Sequence, residues 1–177
     1  MKLFLAILAV AMVGCASHKG YIPADQSAAP AMDRVCVTTA KDGKYDGEPY
    51  PGSGAELSGR ILAVLRESKL GHSTLVPEAD DEGVKQCAAK GFEYMLEPRA
   101  LHWEDRATQW SGLPDRISID LTLSSVQPYK NIRHATFSAK STWFTFVNNP
   151  PEDMLDENFA NFVLDVVGLP PVKPVKK

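Results

Sequence analysis

Apolar and polar positions divide the chain into an apolar leader, an unpatterned stretch, a domain of alternating elements and a polar end. Leu3 to Val13 is an uninterrupted apolar run behind one positive charge, Lys2, and it closes on Gly14 and Cys15. A run of that length makes about 16 Å of helix against roughly 30 Å of hydrocarbon, which predicts a signal-peptide core and not a membrane span. From Ala16 to Asp33 the residues are rich in Ala, Ser, Pro and Gly without periodic apolar positions, the composition of a linker. As a flexible coil this stretch spans about 23 Å.

Beyond it the period changes from element to element. Arg34 to Ala40 is short and β-branched, a first strand. Asp42 to Gly54 is a turn-rich loop, and Ser53 with Glu56 three residues on has the pattern of a capping box opening a helix from Gly54 to Ser68. Leu57, Ile61, Val64 and Leu65 share one face of that helix. A strand from Ser73 to Pro77 follows, then a helix from about Asp80 with Val84, Cys87 and Ala88 on its buried side and Gly91 as its stop. Phe92 to Trp103, Arg116 to Ser124 and Arg133 to Phe146 read as long strands. In the second, Ile117, Ile119, Leu121 and Leu123 alternate with polar residues, the mark of antiparallel strands with one wet face. Leu155, Phe159, Phe162, Val163, Val166 and Val167 form the stripe of a last helix, stopped by Gly168 and Pro170. The order β-α-β-α-β-β-β-α predicts an α/β (α+β) sandwich with one mixed sheet and helices packed on it. The divisions expected are a leader at 1–14, Cys15 and a tether at 15–33, a single domain at 34–168 and a Pro/Lys tail at 169–177.

Charge and cysteine content add two constraints. With 19 Lys and Arg against 22 Asp and Glu, the chain has no basic footprint for nucleic acid. Removal of the leader takes Lys2 away, so a polybasic surface is not the expected means of membrane attachment. Three cysteines leave one over from any pairing. If Cys15 is the exception, Cys36 and Cys87 remain as either a disulfide or two buried thiols. One lies mid-strand and the other mid-helix, and bridging them requires their Cα atoms within about 7 Å.

The densest polar cluster runs His102-Trp103-Glu104-Asp105-Arg106 and continues from Trp110 to Arg116, joining two long strands. His102 with Glu104 or Asp105 has the residue types of an acid/base pair, but such work needs groups converging on one cleft. Cross-hairpin pairing of Glu104 or Asp105 with Arg116, and of Arg106 with Asp115, accounts for the same residues as a stiffened loop. Trp110 beside arginines has the composition of a partner-binding hot spot. The partner-binding candidates are therefore His102, Trp103, Glu104, Asp105, Arg106, Trp110, Asp115 and Arg116. His18, His72, His102 and His134 are scattered without metal-site spacing, Gly52-Ser53-Gly54 lacks the Lys-Ser/Thr ending of a phosphate loop, and no GxSxG elbow occurs. No metal or cofactor is implied.

Met12-Val13-Gly14-Cys15 resembles the lipobox of bacterial lipoproteins, with Met12 in place of the usual Leu. That resemblance implies cleavage before Cys15 and its acylation, a multi-chain anchor that holds a protein at a membrane for good. Ala16, in place of the Asp of inner-membrane retention, implies the periplasmic face of the outer membrane. Gly43 to Gly54 (GKYDGEPYPGSG) and Leu101 to Ile119 (LHWEDRATQWSGLPDRISI), together with the lipobox, resemble a bacterial lipoprotein family described as domain of unknown function 4823. The element order is similar to the amino-terminal domain of TolB and to outer-membrane assembly lipoproteins, an analogy that transfers no function. These resemblances imply export and anchoring, not a reaction. The reading is a lipid-anchored, non-enzymatic module for another envelope protein or a wall polymer. The alternative is an enzyme or small-ligand binder acting on a wall or lipid component through His102 and Glu104 or Asp105.

Overall fold

Val35 and Val37 of strand β2 (Arg34–Thr38) enter one hydrophobic cluster while Cys36 between them enters another, so this strand is buried on both faces. Such a strand belongs inside a sheet with a helix on each side. In the computed structural model, which describes residues 17–21, 23, 26–68, 70–106, 113–141 and 150–171, β2 pairs in parallel with β5 (His72–Val76) and β6 (Tyr94–Glu104). Helix α1 (Ser53–Glu67) connects β2 to β5 and packs on the Val35/Val37 side. Helix α2 (Asp80–Ala89) connects β5 back to β6 and packs on the Cys36 side. Right-handed crossovers that reverse direction along a sheet place their helices on opposite faces.

The chain then meanders antiparallel through β6, β7 (Arg116–Val126) and β8 (Tyr129–Lys140), and with β1 (Ser17–Tyr21) at its edge the six-stranded sheet has the order β1-β8-β7-β6-β2-β5. Ile117, Ile119, Leu121 and Leu123 are all buried against the α1 side, where helix α3 (Glu157–Val166) brings Phe159 to 5.2 Å from Phe137. Asp156 caps α3 by accepting from the amides of Asn158 and Phe159. A 3-10 turn, Pro151–Met154, leads into it. The expected α+β architecture, one mixed sheet with helices packed on it, is the architecture found.

Three details differ from the sequence reading, and one alternative that it left open is decided. The stretch read as a tether contains strand β1 (Ser17–Tyr21), which pairs antiparallel with β8 from Ser17 opposite Lys140 to Tyr21 opposite Thr136. Gly20 permits the close approach, since a Cβ there would stand 2.9 Å from the Phe162 ring. The capping box at Ser53 does not form. Gly52 is the N-cap in a left-handed conformation, Asp42 Oδ1 accepts from the amides of Gly52 and Gly54, and Ser53 Oγ is turned back to donate to the Tyr50 carbonyl. The third long strand is β8, shifted toward the N-terminus, and residues 142–149 with Trp143, Phe144 and Phe146 lie outside the described residues. Cys36 and Cys87 are joined as a disulfide with their Cα atoms 5.8 Å apart, because α2 lies on the face toward which Cys36 points.

Candidate functional site

A register shift in β6 decides which of its residues can meet. Leu96, Pro98 and Ala100 stand opposite Leu123, Leu121 and Ile119 on the core side. Pairing then skips Leu101, so that His102 stands opposite Ser118 and Trp103 opposite Ile117. The extra residue of this bulge moves Trp103 into the core and turns His102 and Glu104 together onto the polar face. Strict alternation would have done the reverse.

Glu104 is 1% exposed and lies between two basic groups. His102 Nε2 is 3.0 Å from Glu104 Oε2, and Arg106 Nε donates to Glu104 Oε1. The Arg106 guanidinium also donates to the Tyr45 hydroxyl at 2.6 Å and stands over the Tyr45 ring, while that ring meets His102 edge-on at 5.5 Å. Tyr45 belongs to the two-stranded hairpin of β3 (Lys44–Tyr45) and β4 (Glu48–Pro49), which packs against β6. Next to it, the Tyr50 hydroxyl donates to Asp105 Oδ2 at 2.8 Å. That hydrogen bond to Asp105, then burial, then the negative charge of Asp105, push the Tyr50 pKa up to about 12.

Asp115, the residue before β7, closes the cluster. Its Oδ1 accepts from the Arg106 amide at 2.6 Å, its own amide donates to Ser141 Oγ, and its carbonyl accepts from the Ser141 amide. Burial pushes the Asp115 pKa up, partly opposed by the Arg106 amide, and its Oδ2 finds no partner among the described residues.

The eight partner-binding candidates therefore separate. Trp103 is fully buried, next to Tyr50 and beneath Gly43, where a Cβ would come within 2.6 Å of the Trp103 Cβ. Glu104 and Asp115 are buried as well, so these three are parts of the fold and are not presented to a partner. Asp105 and Arg116 are exposed, His102 and Arg106 half-buried, and Trp110 falls outside the described residues, as does Cys15. The cross-hairpin pairing takes another form. Arg106 reaches Asp115 through its backbone amide, Glu104 is held by His102 and Arg106, and Asp105 by Tyr50, while Arg116 makes no ion pair with Glu104 or Asp105 among the described residues.

Sequence reasoning missed Tyr45 and Tyr50. Both lie in the Gly43–Gly54 segment, and the fold lays that segment against the start of the Leu101–Ile119 segment. That contact brings the two stretches into one polar cluster.

Beside His102 the polar sheet face opens into a shallow depression of about 500 Å³, lined by Lys19, His102, Arg116, Ser118, Ser138 and Lys140. Among the described residues no group of three or more His, Cys, Asp or Glu side chains is arranged to hold a metal ion, and no helix is long and apolar enough to cross a membrane.

A mixed sheet with helices on both faces and a tyrosine hairpin clamped onto the end of β6 defines a mixed α+β domain. Residues 29–165 match the family described as Domain of unknown function (DUF4823), and the chain belongs to that family. No curated protein matches it. Among solved structures, the PelC dodecamer from Paraburkholderia phytofirmans is similar with a TM-score of 0.64 at 14% identity, over 85% of this chain and 99% of that one. A single-substitution variant of PelC, also a dodecamer, gives 0.62 at 12% identity over 91% of this chain and 100% of that one. Lipoprotein GNA1162 from Neisseria meningitidis gives 0.48 at 13% identity over 72% and 95%. At these identities the likeness is one of fold.

Proposed function

We propose that this protein is a cell-envelope lipoprotein, anchored through acylated Cys15 on the periplasmic face of the outer membrane, whose domain is a non-enzymatic accessory module for another envelope protein or a wall polymer. The observation that carries the non-enzymatic reading is the placement of Glu104. It is shielded from solvent and held by His102 and Arg106, so the polar residues of the cluster are engaged in fixing the end of β6. The surface left for a partner is the exposed rim of Asp105 and Arg116, and Trp110 is a candidate on its composition alone. Two solved structures of like fold are dodecamers, which supports a reading in which such a module also self-associates.

Mass spectrometry of the mature chain tests the anchor: the N-terminal residue should be Cys15 bearing acyl groups, and an unmodified Cys15 would remove the reading. Crosslinking in intact envelopes tests the loop. Trp110→Ala should lose partners that the wild type captures, and identical partner lists would remove the assignment.

One observation favours a second reading. His102, oriented by Glu104, borders the open depression, the arrangement in which a histidine acts as a general base. Turnover of wall or lipid fragments that is abolished by His102→Gln would establish it.

A further inference from the structure

From the start of β1 we infer that the domain does not stand off the bilayer but lies against it, with the Lys19, Arg116 and Lys140 end of its open sheet face on the phosphate headgroups of anionic lipids. This rests on the anchoring of Cys15 proposed above. Only Ala16 separates Cys15 from Ser17, the first residue of β1, so the anchored residue is at most about 7 Å from the sheet. The flexible spacer that would hold the domain away is absent at the end where it would be needed, because β1 is already paired with β8.

Register then dictates what is carried to the membrane. Ser17 stands opposite Lys140, Lys140 opposite Arg116 and Arg116 opposite Glu104, forming one row across the sheet. The next row on the same face is Lys19, Ser138, Ser118 and His102. The row nearest the anchor and its neighbour thus bring three exposed cations and a histidine together around the depression. Lys19, Arg116 and Lys140 have no acidic partner within ion-pair distance among the described residues, whereas Glu104, in the row of Arg116 and Lys140, is already paired with Arg106 and in contact with His102. Further from the anchor, Asp120 is engaged by Thr136 and His134, and Glu97 by Arg99. On this face the cations of the two rows nearest the anchor are therefore unpaired, while the acids Asp120 and Glu97 further along it are engaged. A chain with more acidic than basic residues, held within a Debye length of an anionic leaflet, is repelled unless its local positive charge faces the surface.

The test uses the full mature lipoprotein reconstituted into phosphatidylcholine vesicles with and without phosphatidylglycerol, labelled with a water-soluble amine reagent and read lysine by lysine. Lys19 and Lys140 should label about five-fold more slowly in the anionic vesicles, and high salt should restore the rate. Lys130, about 33 Å along β8 from Lys140, should label equally in both. Arg116→Glu should restore labelling of Lys19 and Lys140 in the anionic vesicles. Equal labelling in both vesicle types, with acylated Cys15 confirmed in the same digest, would overturn the docking while leaving the anchor standing. Unacylated Cys15 would overturn both. If inorganic phosphate with neutral vesicles protects the two lysines as well as anionic lipid does, the depression is a site for free anions and the membrane assignment falls.

Discussion

Arg106 donates through Nε to Glu104, two residues before it, whose side chain is almost wholly excluded from solvent. A buried carboxylate that loses one of its two basic partners keeps its desolvation cost without the compensation. Arg106→Ala should therefore lower the stability by about 2–3 kcal/mol, read as the urea midpoint at unchanged slope. The double variant Glu104→Leu/Arg106→Leu should recover much of that loss, because removing both partners also removes the unpaired charge.

Tyr50 offers a spectroscopic reading of the same site. Its hydroxyl donates to Asp105 and its pKa is raised from 10.0 to about 12, so the neutral phenol is favoured in the fold. Absorbance titration should show one tyrosine ionising later than the rest, and Asp105→Asn should bring it back toward the ordinary value. The sign for stability follows. The native state holds this proton to higher pH than the unfolded chain, so stability should fall as pH rises through the interval from 10.0 to about 12.

Asp115 behaves in the same sense at acid pH. Burial raises its pKa above the usual carboxylate range, so between the ordinary and the raised value the native state binds more protons and stability falls as pH rises. Asp115→Asn keeps an acceptor for the Arg106 amide and removes a buried charge. Its urea midpoint at neutral pH should exceed that of the wild type, with the difference narrowing as the pH is lowered into the carboxylate range.

The Cys36–Cys87 bridge closes 51 residues of chain, including all of α1 and β5. Loop-closure entropy sets the loss on replacing both cysteines by alanine at about 4 kcal/mol, before any residual structure in the unfolded chain reduces it. Thiol labelling of the denatured protein without reductant should find both residues blocked, and the double alanine variant should unfold at a lower urea concentration.

Gly54 tests how α1 is seated. A Cβ there would lie 2.2 Å from the Ala40 carbonyl oxygen and 2.7 Å from the Lys41 carbonyl carbon, both backbone atoms that cannot swing aside. Gly54→Ala should cost about 1–3 kcal/mol by overpacking, although alanine is the better helix former. A more stable Gly54→Ala variant would show that α1 can shift from the β2–β3 connection.

The three helices, strands β2, β5, β6, β7 and β8, their order, and the buried faces of α1 and β7 were legible in the sequence alone. Period 3.6 in Leu57, Ile61, Val64 and Leu65 and period 2 in Ile117 to Leu123 are local properties, set by which side chains must leave water. Three things were decided only by tertiary structure. The bulge at Leu101 placed Trp103 inside and turned His102 toward Glu104, because register depends on the neighbouring strand and not on the residues of β6 alone. The Gly43–Gly54 hairpin came to lie on the end of β6, some fifty residues on, and supplied Tyr45 and Tyr50. Ser17–Tyr21, with no periodicity of its own, became a strand because β8 offered it an unpaired edge. Net charge, a sum over the chain, gives no sign to a surface; the rows of β1, β8 and β7 gather Lys19, Lys140 and Arg116 at the end next to Cys15, and position alone makes that end positive.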